Sequence, residues 1–253
     1  MTASPKLSHP HDWPWELHWD QQRPLPTRWV APRRLLRRPW PNGPAVTALN
    51  FSERMLRLCE DVAARCPVLQ HIQMAQVLVT FTLCRNRSRY GLQARLTPLR
   101  FRDGQLQRHQ GSTAYQIQRF FVNNQEILYI LTFCLPRFLD QSFRDKLITV
   151  FHELYHMSPQ FDGDLRRHPG RCTLHSRSKD NYDRLMSELV ERYLAQHPQP
   201  EIYEFLQGGY RELWSRYGGI IGVIVPRPKL LPVGMVNTRT AARRRDAKRH
   251  RRQ

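Results

Sequence analysis

The sequence predicts an α+β domain in which a small mixed sheet packs on one amphipathic helix, with further helices toward the C-terminal end. Three observations carry this prediction. Strand-like runs, alternating or continuously apolar, crowd residues 77–135. Segments of helical period follow from Phe138 onward. The order is therefore one helix, several strands, then helices, without the regular strand–helix alternation of a parallel sheet.

Residues 1–47 are rich in Pro, Trp and Arg. Prolines recur there too often for a helix or a central strand, so an irregular arm is expected. Trp13, Trp15, Trp19, Trp29 and Trp40 are unusual in disordered chain, which points to packing on the domain or on a partner. The domain itself is expected over 48–236. Ser52 is placed to cap a helix carrying Met55, Leu56, Leu58, Cys59, Val62 and Ala63, ended by Pro67. Val77, Val79, Phe81 and Leu83 alternate with Leu78, Thr80 and Thr82, a strand period. Residues 92–101 read as a second strand, with Pro98 marking an edge or bulge. Asp103-Gly104 is a turn, and 115–122 a third strand. Residues 127–135 are almost continuously apolar, as in a strand covered on both faces.

A helix is expected over 138–157, followed by a loop containing Pro159, Gly163, Pro169 and Gly170. Two helices follow, near 179–196 and 200–216, the second ended by Gly218-Gly219. An apolar strand over 220–225 is stopped by Pro226, Pro228 and Pro232. Residues 237–253 read as a basic, disordered tail. No internal repeat is visible.

Of the 253 residues, 40% are hydrophobic, enough for a core. No apolar run reaches the length of a membrane span. No basic-then-apolar leader opens the sequence, so a cytoplasmic protein is expected. The five cysteines, Cys59, Cys66, Cys84, Cys134 and Cys172, form neither a disulfide framework nor a CxxC knuckle. Most are expected to be reduced, with Cys134 a small core residue. The formal net charge of +19 favours an anionic partner, nucleic acid first. Arg33, Arg34, Arg37 and Arg38 cluster near the front, and arginines crowd 243–252. A mobile cationic tail would bind nucleic acid weakly, without sequence preference, and in a salt-dependent way.

The chemistry concentrates at His152-Glu153-Leu154-Tyr155-His156. HExxH places two His one turn apart on a helix, where both imidazoles can meet one zinc ion. The Glu between them can take a proton from an activated water. Phe143, Leu147, Val150, Phe151, Leu154 and Met157 share an apolar arc, with His152 and His156 roughly opposite. A hydrolytic zinc site takes three protein ligands and leaves one position open. Asp162, Asp164, His168, Cys172, His175 and Glu188 are candidates. Glu188 points away from the apolar face of its helix. His175, after a Pro-Gly loop and just before that helix, is preferred. Asp162 and Asp164 read as turn residues pairing with Arg166 or Arg167. A carboxylate there could also accept the free ring N–H of a ligand His. Tyr155, Tyr182 and Arg171 are open as oxyanion partners.

The stretch LYILTFCLPRFLDQSFRDKLITVFHELYHMSPQFDGDLRRHPGRCTLHS resembles the phage metallopeptidase domain family. The resemblance spans residues 50–233 and is specific over 127–176. It implies a zincin-like fold, with His152, His156 and His175 as zinc ligands and Glu153 as general base. A looser similarity is to SprT-like proteases, which carry HExxH and a third His before a later helix, and some of which act on DNA-bound proteins. The expected function is zinc-dependent hydrolysis of a protein or peptide substrate. The rivals are a nucleic-acid-binding protein with a structural metal site, and a zinc hydrolase of non-peptide amides.

Overall fold

The computed structural model describes residues 14–30, 48–84, 91–167 and 179–235, the stretch 179–182 and Met235 by their backbone alone. In chain order it places β1 (Glu16–Trp19), β2 (Thr27–Val30), β3 (Leu49–Asn50), α1 (Phe51–Arg65), β4 (Val77–Leu83) and β5 (Ala94–Pro98). β6 (Gln107–Gln110), β7 (Thr113–Ile117), β8 (Arg119–Val122), β9 (Gln125–Ile127) and β10 (Tyr129–Leu135) follow. Then come α2 (Phe143–Tyr155), α3 (Lys179–Leu194), α4 (Pro200–Tyr203), α5 (Tyr210–Tyr217), β11 (Ile220–Val223) and β12 (Leu230–Met235). The architecture is α+β, and its strands form small three-stranded sheets. No helix of the described residues is long and apolar enough to cross a membrane.

The central sheet has the order β4-β10-β5. β10 runs parallel to β4 and antiparallel to β5, so the sheet is mixed. Strand alternation gives it two unlike faces. Tyr129, Leu131, Phe133 and Leu135 of β10, Val77, Val79 and Phe81 of β4, and Ala94 and Leu96 of β5 enter the main core. Met55, Leu58 and Val62 of α1 and Leu147, Val150, Phe151 and Leu154 of α2 join them there. On the opposite face Leu78 and Ile130 pack with Trp19, Leu99, Phe120 and Ile127. β10 is thus covered on both sides, which explains its nearly unbroken apolar run.

Several boundaries differ from the sequence expectation for local reasons. The cap of α1 is Asn50, whose side chain accepts the Glu53 N–H at 3.2 Å. Ser52 lies inside the helix, buried, with its hydroxyl accepting the Val223 N–H at 2.9 Å. α2 begins at Phe143, because the Ser142 hydroxyl accepts the Asp145 N–H at 3.1 Å. Phe138 and Leu139, expected in that helix, are buried in the turn before it. The run 115–122 divides at buried Gln118, whose backbone N–H goes to Lys229 and whose amide donates to the Pro14 carbonyl. Its halves, β7 and β8, enter different sheets. The helix expected over 200–216 breaks at Gly208 and Gly209, and Gly209 caps α5. Gly218 ends α5 at φ +67°, the left-handed conformation that glycine adopts without strain. β12 runs through Pro232, which sits at a register shift against β7.

The largest correction concerns the N-terminal arm. Its prolines flank two short strands rather than interrupting them. β1 pairs with β8, β2 pairs with β11, and Trp19 packs edge-on against Phe120 at 5.3 Å. Residues 14–30 therefore belong to the folded domain. Trp13, Trp40, the front arginine cluster and the tail lie outside the described residues.

α2 also buries a charge that its apolar pattern does not announce. Lys146 is 1% exposed, and its Nζ donates to the Leu206 and Gly208 carbonyls at 2.8 Å each. Burial pushes its pKa down to about 8, with Asp140 and Glu212 partly offsetting the effect. The unfolded lysine titrates near ~10.4, so between these values the unfolded state binds more protons and stability rises with pH. Relative to Lys146→Met, the wild type is expected to gain on the order of 1–3 kcal/mol between about pH 7 and 10.5. Urea unfolding across that range checks this; a pH-independent difference would contradict it.

Candidate metal centre

α2 carries both histidines of the HExxH motif on one side. The helix ends at Tyr155, but its capping residue His156 keeps helical angles, φ −71° and ψ −15°, so the one-turn spacing survives. Both His side chains are half-buried. Their Nε2 atoms stand 2.9 Å apart, with the rings edge-to-face and centroids at 4.5 Å. Two nitrogens bound at about 2.0–2.1 Å to one tetrahedral ion stand roughly 3.3 Å apart. The pair therefore fits a shared zinc ion after an outward movement of a few tenths of an ångström.

Glu153 is 8% exposed. Its Oε2 accepts the backbone N–H of Leu96 at 2.7 Å. β5 pairs with β10 on one side only, which leaves alternate N–H groups pointing off its outer edge. The Leu96 N–H is one of these, and the carboxylate satisfies it. Burial pushes the Glu153 carboxyl up to about 7, against the opposing pull of the Leu96 N–H and the Arg95 charge. A base titrating near neutrality suits proton transfer at physiological pH.

Beyond α2 the chain folds back along the helix end. Met157 bridges Leu165, the Ser158 N–H goes to the Asp164 carbonyl, and the Arg166 N–H goes to His156 O at 2.7 Å. The Arg166 guanidinium lies 4.1 Å over the Tyr155 ring, and its Nε donates to Tyr155 O. Tyr129 pins the turn from below: its hydroxyl donates to Asp164 O at 2.8 Å and accepts the Gly163 N–H at 3.0 Å. Gly163 adopts φ +85°, and a Cβ there would meet Arg100 Cγ at 2.5 Å, so only glycine fits.

These contacts sort the third-ligand candidates. Asp164 is buried, accepts the Asp103 N–H and pairs with Arg167 at 2.9 Å, so it serves the turn. Asp162 accepts the Asp164 N–H in the same turn. Glu188 is exposed on α3, 4.0 Å from Arg192, away from the core as its helical position predicts. His168, Arg171, Cys172 and His175 lie outside the described residues, as does the Tyr182 side chain. Among the described residues no group of three His, Cys, Asp or Glu side chains is placed to hold a metal ion. Sequence reasoning missed the Leu96 N–H and the stacked Arg166. Pro98 at a strand end was the only hint of the free edge.

Comparison of the chain with protein-family models, with curated proteins and with solved structures finds no match.

The raised carboxyl has a measurable sign. Without metal, the native state binds more protons than the unfolded chain between about pH 4.3, the free Glu value, and 7. Its contribution to stability is present below that window and is lost as pH rises through it. Chelator-treated wild type is therefore expected to lose on the order of 1–3 kcal/mol relative to Glu153→Gln across that window. Parallel urea titrations at its two ends would show it; equal pH profiles would mean that Glu153 is not buried as described.

Proposed function

We propose that the chain is a zinc-dependent metallopeptidase with a zincin-like fold, acting on protein or peptide substrates. One observation carries this reading. The two histidine Nε2 atoms converge at 2.9 Å, and the intervening Glu153 is buried and held by an edge-strand N–H. A purely solvated His pair needs neither the buried carboxylate nor its anchoring.

His152 and His156 would hold zinc, with His175 as the third ligand. The Arg166 N–H is bonded to His156 O, so the chain lies beside the His pair shortly before the segment that carries His168 and His175. Bound zinc would supply Lewis acidity, bringing a coordinated water toward pKa 7 and polarising the scissile carbonyl. Glu153 takes the proton of the attacking water and hands it to the leaving amine. Its Oε2 stays on Leu96, which fixes the carboxylate plane and leaves Oε1 for that proton. The free thiols of Cys59, Cys66, Cys84 and Cys134 suit the reducing cytoplasm.

The purified protein is expected to hold about one zinc per chain, and His152→Ala or His156→Ala to lose it. Elemental analysis reads this directly, and full zinc in either variant would displace the site. His175→Ala should weaken zinc binding sharply while Glu188→Ala leaves it unchanged; the opposite pattern would assign the ligand to α3. Glu153→Gln is expected to keep the metal and lose peptide hydrolysis by on the order of 10²–10⁴-fold. Zinc retention with wild-type turnover would exclude Glu153 as the base.

A further inference from the structure

The face of the central sheet turned away from α2 is polar where the second core ends. Thr132 of β10 stands opposite Thr80 of β4 and Arg95 of β5, so all three side chains share that face. They line a cavity of about 290 Å³ closed on its other side by Arg28 of β2 and by Arg227, beyond β11. A second cavity of about 320 Å³ continues from it and shares Arg95, Thr97 and Arg227. Among the described residues, no acidic side chain lines either one. Arg28, Arg95 and Arg227 are exposed, and among the described residues none of their side chains has an ion pair or hydrogen bond. Several arginines elsewhere in the fold are paired: Arg57 with Glu53, Arg100 and Arg119 with Glu126, Arg144 with Glu191.

The floor is also prepared for an acceptor. Thr80 is 2% exposed, and its hydroxyl lies 2.9 Å from that of Thr132. The Thr80 hydroxyl also lies 3.4 Å from the Leu131 carbonyl, a longer and weaker contact; with its one proton on the nearer Thr132 oxygen, the Thr132 proton remains for a ligand oxygen. Three guanidiniums around a hydroxyl floor without a carboxylate match the oxygens of a phosphate group. Two adjoining cavities, sharing two arginines, match successive phosphates better than a single ion. The adjoining walls, Ile117, Pro228 and Leu230, offer apolar contact but no base-reading groups.

We propose that Arg28, Arg95 and Arg227, over the Thr132 hydroxyl that Thr80 orients, bind the phosphodiester backbone of a single nucleic-acid strand. The site lies in the folded domain, on the sheet face opposite Glu153, and stands whether or not the metal reading holds.

The test uses the full chain, titrated with a labelled oligothymidylate of about twelve nucleotides over a range of salt, and with inorganic pyrophosphate as competitor. Arg95→Gln/Arg227→Gln is compared with Arg57→Gln/Arg144→Gln, which removes the same charge from exposed paired sites. The pocket variant is expected to bind DNA at least about tenfold more weakly than the control. Its log K against log salt should be flatter by roughly 1.4, or about 0.7 per phosphate contact. Thr132→Val, nearly isosteric, should weaken binding by about threefold with no charge change. Competition by pyrophosphate that disappears in the pocket variant supports the proposal. Pocket and control variants that bind alike, or a loss confined to pyrophosphate, would overturn the nucleic-acid assignment. Equally tight, equally pocket-dependent binding of poly-glutamate would overturn the preference for phosphate.

Discussion

The 2.7 Å hydrogen bond from the Leu96 N–H to Glu153 joins the two halves of the candidate centre. Without a partner, that edge N–H would be buried and unsatisfied beneath α2, at a cost of about 1–3 kcal/mol. The carboxylate removes this cost and is itself fixed by doing so. The orientation of α2 about its own axis follows. With Glu153 aimed at β5 and Leu147, Val150, Phe151 and Leu154 in the core, His152 and His156 emerge together on the remaining side. One contact thus couples the packing of the helix to the placing of its chemistry.

How much of this was legible in the sequence depended on the range of the forces involved. The period of β4, the apolar run of β10 and the amphipathic pattern of α2 are local signals; β4 formed where expected, and β10 and α2 formed inside the expected runs but start later, at Tyr129 and Phe143. The HExxH pair was equally local, since its geometry is that of one helical turn. What escaped were features that depend on residues distant in sequence. Gln118 breaks a strand because Pro14 and Lys229 need its hydrogen-bonding groups. Ser52 is not a cap because Val223 occupies its hydroxyl. Lys146 sits inside the core because two carbonyls some sixty residues later await it. The prolines of the N-terminal region hid two strands whose partners lie in β8 and β11.

The central sheet divides its labour by parity. Odd-numbered positions of β10 build the core under the helices, whereas Thr132 and its neighbours Thr80 and Arg95 face a basic groove. Arg95 and Leu96 are consecutive, so one side chain lines the groove while the next backbone N–H holds Glu153. The two surfaces are separated by the thickness of a single strand, and any displacement of β5 is felt on both.

The pairing of β2 with β11 joins Val30 to Ile220. A ribosome adding about 5–20 residues per second needs roughly 10–40 s to make the chain between them. Through that interval β2 has been made and its partner has not, so an edge bearing Trp29 waits for a strand encoded far downstream. The nascent chain is therefore most exposed to misassociation at its front, and chaperones that shelter early strands would govern its yield.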